Sequence, residues 1–310
     1  MADAPRPVGG WTGGQYSLVR ALTALLATPH LLGAHWAADP VVAWAATGLA
    51  AVLLALLLLG MRTRPIALLL VALEAARLWV AGAAPQDSGW AALLLLHAFV
   101  PAAPYGSWDA RGRVDPRGTW RMRYAVTLGA AVGAIVHLGW RFTGELPGAD
   151  GVLQIAAWLC LGVPPFLVAA RRPGKGPARL YYDGSCGLCH GAVRFLLAED
   201  RDGNGFRFAP LDSDAYRAAV PEATRAAMPE TMVLLDGAGD VHSRWRGVLA
   251  LAAALGGWWR LLAAPARLLP RRTGDFLYDR VAAVRHRWFA RPDATCPLLP
   301  DALRARFDLS

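Results

Sequence analysis

The order of apolar and polar positions divides this chain in two before any residue is given a role. The first half is a succession of long apolar runs, at about 17–34, 41–60, 65–82, 89–104, 124–140 and 152–170. Each is close to the roughly 17 to 25 residues that cross a hydrocarbon layer as a helix, which predicts about six transmembrane helices. Pro29 and His30 interrupt the first run, and Pro101 and Pro104 end the fourth. Near residue 179 the runs shorten and begin to alternate. The pattern there reads strand 179–182, helix 187–199, strand 206–208, helix 213–227, strand 231–235, a Gly-rich turn at 236–240, a short strand 241–243 and helix 246–255. Between the two regimes lies RRPGKGPAR, 171–179, with the Pro, Gly and charge of a linker. The expected organisation is a transmembrane helical domain over 1–170, a linker over 171–179 and a second domain over 180–310.

Composition sharpens this reading. In a chain of 310 residues, 55% hydrophobic content is high for an ordinary soluble protein. The net charge of +9 would suit a nucleic-acid binder, yet the basic residues sort to loops and helix ends instead of one stripe with stacking aromatics. Loop 61–65 carries Arg62 and Arg64, loop 105–123 carries five Arg, and 171–179 carries Arg171, Arg172, Lys175 and Arg179. Loops 35–40 and 83–88 carry no Lys or Arg, and 141–150 carries only Arg141. The positive-inside rule then places both termini in the cytoplasm of a multi-pass inner-membrane protein whose first partner is the lipid bilayer, with no nucleic acid. Residues 1–16 are Pro/Gly-rich with Arg6 as their one basic residue, where a cleaved signal peptide would be expected to show a compact basic start. After Gly257, the Trp258–Arg272 stretch is basic, Trp-bearing and amphipathic, able to lie in a leaflet or to pack on the preceding domain. The helix expected over 274–289 carries Asp275, Tyr278, Asp279 and Arg285 at spacings that allow structural pairing along the helix.

Four cysteines, at 160, 186, 189 and 296, are too few and too scattered for a disulfide framework. Two of them stand as Cys186-Gly-Leu-Cys189 where LYYDGSCGLCHGAVRFLLAE passes from a strand through an Asp-Gly turn into a helix. At a helix start the first sulfur lies beside unpaired N–H groups and the positive end of the dipole, which favours thiolate. The second lies one turn along, within reach of a mixed disulfide on the first. This predicts a redox-active dithiol, needing no cofactor, in which Cys186 attacks a disulfide and Cys189 resolves it.

Asp183 completes the pattern Asp-x-x-Cys-x-x-Cys, which resembles the signature of the DCC family of predicted thiol-disulfide oxidoreductases. FRFAPLDS at 206–213, TMVLLDG at 231–237, and GDFLYDRVAAVRHRWF followed by Cys296 resemble the family's later segments. The resemblance covers roughly residues 178–308. It implies thiol-disulfide exchange on an unidentified disulfide-containing protein or small molecule. With the strand and helix order it implies a fold class: an α-helical membrane bundle of about six helices followed by an α/β thioredoxin-like domain with a helical C-terminal extension. Where a Ser-x-x-Ala-like stretch is expected, this chain has Ser243-Arg244-Trp245-Arg246-Gly247-Val248, a departure near the dithiol.

Other residues carry open alternatives. Asp183 reads either as a proton acceptor for the resolving thiol or as the Asp of an Asp-Gly turn. Pro229 sits near where such folds place a proline facing the dithiol, with Thr231 as the alternative residue facing the sulfurs. Cys296 reads as a second resolving thiol or as a buried packing cysteine, and Cys160 as a packing residue. His190 turns the motif into Cys-x-x-Cys-His, the haem c attachment pattern, with Met228, Met232, His242 or His286 as distal ligands. Cys186, Cys189, His190 and Cys296 are nominal zinc ligands, although one ligand pair falls short of the usual two. Both belong to an alternative in which the domain binds a metal or haem and regulates the membrane half. Within the apolar half, Glu74, Arg77, His97 and His137 are the ionisable residues that mark a polar membrane site by default; a quinone site could be built from them, with no residue pattern to support it.

Overall fold

In the computed structural model, the described residues are 10–33, 36, 39–81, 88–118, 120–142, 148–168, 176–200, 203–228, 231–288 and 301–308. Two compact units form. The N-terminal unit comprises Pro7–Gly112 with Gly118–Pro164, and the C-terminal unit comprises Pro165–Ser310 with the short segments Met1–Arg6 and Arg113–Arg117.

The N-terminal unit is helical: α1 Gly13–Leu32, α2 Pro40–Leu59, α3 Thr63–Ala81, α4 Gly89–Phe99, α5 Tyr124–Phe142 and α6 Ala149–Gly162. The local sequence explains the boundaries of α2. The Asp39 carboxylate accepts from the N–H groups of Val41 and Val42, Pro40 occupies the first turn, and Gly60 ends the helix at φ 71. Helix α1 packs on α2 and α6, α3 on α4, and α5 on α6. The last pair approaches closely at Gly162, where a Cβ would lie 2.9 Å from the Ala131 nitrogen.

This unit corrects the expected bundle of six membrane-spanning helices. Among the described residues one helix, α2, is long and apolar enough to cross a bilayer. Helices α4 and α6 have 11 and 14 residues, and the apolar part of α5 is Tyr124–Gly139. At 1.5 Å per residue these reach about 16 to 24 Å, short of a hydrocarbon core of roughly 30 Å. Helix α1 devotes buried positions to Gln15, Arg20 and Thr23, and α3 carries Arg64, Glu74 and Arg77. The fourth and sixth apolar runs, 89–104 and 152–170, outlast their helices because Pro101, Pro104 and Pro164 fall inside them and end the helical segments early. The expectation that both termini share the cytoplasmic side counted six crossings and loses its basis with them.

The C-terminal unit opens with α7 Pro165–Val168 and continues as β1 Ala178–Tyr182, α8 Gly187–Glu199, β2 Phe206–Pro210, α9 Asp214–Ala219, α10 Glu222–Ala226, β3 Val233–Leu235, β4 Val241–Ser243, α11 Arg244–Leu255, α12 Gly257–Ala266, α13 Arg271–Trp288 and α14 Asp301–Arg304. The strands make one mixed sheet, ordered β2-β1-β3-β4. Strand β1 is parallel to β2, with Leu180 opposite Phe208, and antiparallel to β3, with Leu180 opposite Leu234. One expected helix, 213–227, is divided in two. Pro221 lacks an N–H and forces Val220 out of the helical region, to φ −120 and ψ 118.

Alternation along the strands builds two cores. Leu180, Tyr182, Phe206, Phe208 and Leu234 face α8 and α11, meeting Val193, Leu196, Leu197 and Leu255. Tyr181, Ala209 and Val233 face the other way, against Tyr216 and Val220. The chain end joins the first core. Phe307 pairs with Phe208 beside β2, and the Arg306 guanidinium donates to the Phe206 carbonyl at 3.1 Å and to buried Asp200 at 2.6 Å. The amphipathic stretch after Gly257 packs here as well. Trp259 donates its indole N–H to buried Glu199 at 2.7 Å and meets Phe195 edge-on.

Candidate active site

The turn between β1 and α8 is built by its own side chains. The Asp183 carboxylate accepts from the Ser185 N–H at 2.8 Å and from the Ser185 hydroxyl at 2.7 Å, while the Asp183 carbonyl accepts from the Cys186 N–H at 3.2 Å. Cys186 is the N-cap of α8, extended at φ −102 and ψ 116, and its carbonyl accepts the first helical bond from the His190 N–H. The first N–H groups of the helix have no acceptors inside it, and the Cys186 side chain makes no capping hydrogen bond to them. His190 fastens the turn from below. Its Nε2–H donates to the Gly184 carbonyl at 2.9 Å, and its ring meets Tyr182 at 83°.

Both thiols are free and lie in the core: Cys186 is 1% exposed and Cys189 4%, among Leu180, Tyr182, Val193 and Leu196. The two sulfurs are not equivalent. Burial pushes the Cys189 thiol up to about 12, and its hydrogen bond to Cys186 and the negative charge of Cys186 push the same way. The Asp183 N–H and the Arg285 cation oppose that rise and are outweighed. Cys189 therefore keeps its proton and offers it to Cys186.

Helix α13 supplies two further side chains. Tyr278 and Arg285 are seven residues apart, two turns, and so share one face. Arg285 lies 3.6 Å from the Asp183 carboxylate with its side chain 11% exposed. The Tyr278 hydroxyl sits 2.5 Å from Thr231 Oγ1 and accepts from the Met232 N–H. Burial raises the Tyr278 phenol, and the Cys189 charge adds to the rise. Asp275 and Asp279 pair instead with Arg271 and Arg244. The expected local pairing along this helix is present between Arg271 and Asp275, while Arg285 reaches the dithiol turn instead. Seven-residue spacing was the signal available in the sequence; it could not say what the shared face would meet. The departure at 243–248 forms the entry to α11, where Arg244 adopts φ 51 and Ser243 makes no capping bond.

The remaining expected residues fall apart. Asp183 acts as a turn residue ion-paired with Arg285, and Thr231 is buried against Tyr278. Pro229 and Cys296 lie outside the described residues. The His190 nitrogen that a haem iron would take is engaged by Gly184, and among the described residues no three His, Cys, Asp or Glu side chains gather around a metal-sized space. In the N-terminal unit Glu74 is fully buried and holds Arg77 at 2.7 Å and His30 at 3.0 Å. His97 instead meets the Tyr16 hydroxyl at 2.8 Å. Tyr16 and His30 are 14 positions apart on α1, about 21 Å at 1.5 Å per residue, so the four ionisable residues do not form one site. His137 is buried on α5. His30, which bridges Glu74 to Asp150 at 3.2 Å, was not among the expected members.

A Cys-x-x-Cys pair at the first βα turn of a mixed sheet, with a proton held on its second sulfur, defines a dithiol module of the thiol-disulfide oxidoreductase class. The family profile described as DCC1-like thiol-disulfide oxidoreductase matches residues 180–291. A chloroplastic DCC family protein of Arabidopsis thaliana is 31% identical over 120 residues, which cover 39% of this chain and 69% of that protein. The uncharacterized protein YuxK of Bacillus subtilis is 27% identical over 132 residues, 41% of this chain and 91% of its own. No solved structure gives a significant match. The chain belongs to the DCC family, and the family accounts for its C-terminal unit.

Proposed function

We propose that the C-terminal unit catalyses thiol-disulfide exchange with Cys186 as nucleophile and Cys189 as resolving thiol. The observation that carries this reading is the asymmetry of the pair, one sulfur at a helix start and the other protonated and hydrogen-bonded to it. Cys186 thiolate attacks one sulfur of a substrate disulfide; a Cys186 mixed disulfide forms and the first substrate thiol leaves. Cys189 then gives up its proton and attacks Cys186, closing the Cys186–Cys189 disulfide and releasing the second thiol. The substrate gains two electrons and two protons, and a thiol reductant returns the enzyme to the dithiol. Beside Tyr278 lies a small cleft with room for about one water, lined by Leu180, Met232, Leu234, Arg244, Val248 and Leu251.

We infer further that α2 attaches the chain to a bilayer. Twenty residues rising 1.5 Å each match the hydrocarbon thickness, and Val41, Trp44, Leu49 and Val52 are at least half exposed. The test uses the full chain purified in detergent, with insulin or glutathione disulfide as substrate. Cys186→Ser should abolish turnover, and Cys189→Ser should accumulate mixed disulfides through Cys186, seen by non-reducing mass spectrometry. Turnover unchanged in both variants overturns the assignment.

A further inference from the structure

The resolving step sets a problem that the dithiol alone does not solve. Cys189 must lose its proton to attack Cys186, yet it lies 4% exposed in an apolar core where a new negative charge is costly. The charged and titratable groups that act on it, among the described residues, come from three elements. Cys186 stands on its own helix, Tyr278 and Arg285 reach it from α13, and the Asp183 carboxylate of the β1–α8 turn is held against Arg285. Of these, only Arg285 is a cation. It is anchored by a turn that also directs the Asp183 N–H at the Cys189 sulfur.

We propose that Arg285 is the positioning residue of the resolving half-reaction: from α13 it fixes the Asp183 turn and holds a positive charge beside Cys189 as that sulfur becomes a thiolate. The proposal rests on the dithiol reading above and adds to it a role for the helix that follows the sheet. The step balances without further reactants. Cys189 S–H passes its proton to water, the Cys189–Cys186 bond forms as the Cys186–substrate bond breaks, and the departing thiolate recovers a proton. The Asp183–Arg285 pair keeps its net charge near zero before the reaction. The charge that Arg285 answers is the one made during it, which is the preorganised arrangement that speeds a charge-forming step.

The test separates the two halves in single turnover, using the full chain with Cys160 and Cys296 replaced by Ala. An aromatic disulfide such as 5,5′-dithiobis(2-nitrobenzoate) releases one coloured thiolate when Cys186 is attacked and a second when Cys189 resolves the mixed disulfide. In Arg285→Gln the second release should slow about tenfold near pH 8, with its pH profile displaced to higher pH. That factor corresponds to about 1.4 kcal/mol. Arg285→Lys should recover most of the rate, because charge is the property required. The first release should keep its pH profile. If Arg285→Gln changes the first release and leaves the pH profile of the second unmoved, Arg285 only packs the helix and the proposal is overturned. If the parent protein makes no first release attributable to Cys186, the dithiol reading itself has failed, an outcome distinct from the loss of Arg285's role.

Discussion

Removing the Cys186 sulfur should make Cys189 more acidic. Two of the three influences that raise Cys189 come from Cys186, namely its hydrogen bond and its negative charge; the largest, burial, does not. In Cys186→Ala the Cys189 pKa should fall from about 12 toward the ordinary value of 9.0 without reaching it. At about pH 10.5 a thiol with the parent value is roughly 3% thiolate, while one near the ordinary value is almost wholly ionised. Thiolate absorbance near 240 nm reads this directly, taken as the difference between Cys186→Ala and Cys186→Ala/Cys189→Ala. The same shift acts on stability. A group whose folded pKa lies above its unfolded value contributes fully below the unfolded pKa and loses that contribution as pH rises through the folded one. Three pKa steps correspond to on the order of 4 kcal/mol, present at neutral pH and lost between about pH 9 and pH 12. Alkaline unfolding should therefore be less steep in Cys189→Ala than in the parent. An unchanged or higher Cys189 titration in Cys186→Ala would refute the argument that the neighbouring sulfur holds the proton in place.

Three further outcomes are expected. Because Cys186 is 1% exposed, its alkylation by iodoacetamide should be limited by local opening and should accelerate in urea too dilute to unfold the unit; a rate equal to that of a free thiol contradicts this. Arg306→Met takes the cation from the Asp200 carboxylate, whose side chain is 1% exposed and which also accepts from the Gly205 N–H, and should cost about 3 to 5 kcal/mol. Hydrogen exchange at Phe206–Pro210 should rise with it, and adding Asp200→Asn should recover part of the loss. Glu74→Gln removes the carboxylate shared by Arg77 and His30 and should lower the melting temperature of the N-terminal unit, while turnover per molecule by the dithiol stays the same. A simultaneous loss of turnover in a folded protein would refute their independence.

The chain alone determined what short-range chemistry determines. Alternation located β1, β2 and β4, the Asp-Gly turn and the cysteine spacing located the dithiol, and the motif identified the family before any contact was known. These features are local, so a few consecutive residues carry them. Hydropathy was less faithful in the first half. An apolar run does not say where its helix ends, nor that Gln15, Arg20, Glu74 and His97 would be buried together with leucines, and so six crossings were expected where, among the described residues, one helix has the length and composition for it. Tertiary structure alone decided the rest. Arg285 is 102 positions from Asp183, and Tyr278 meets Thr231 only because α13 returns to the sheet. Arg306 reaches Asp200 from the other end of the domain. Periodicity gives each helix a face, but which surface that face covers is fixed by chain closure and the burial of the whole core. That long-range packing set the Arg285 cation against the Asp183 turn that carries the dithiol.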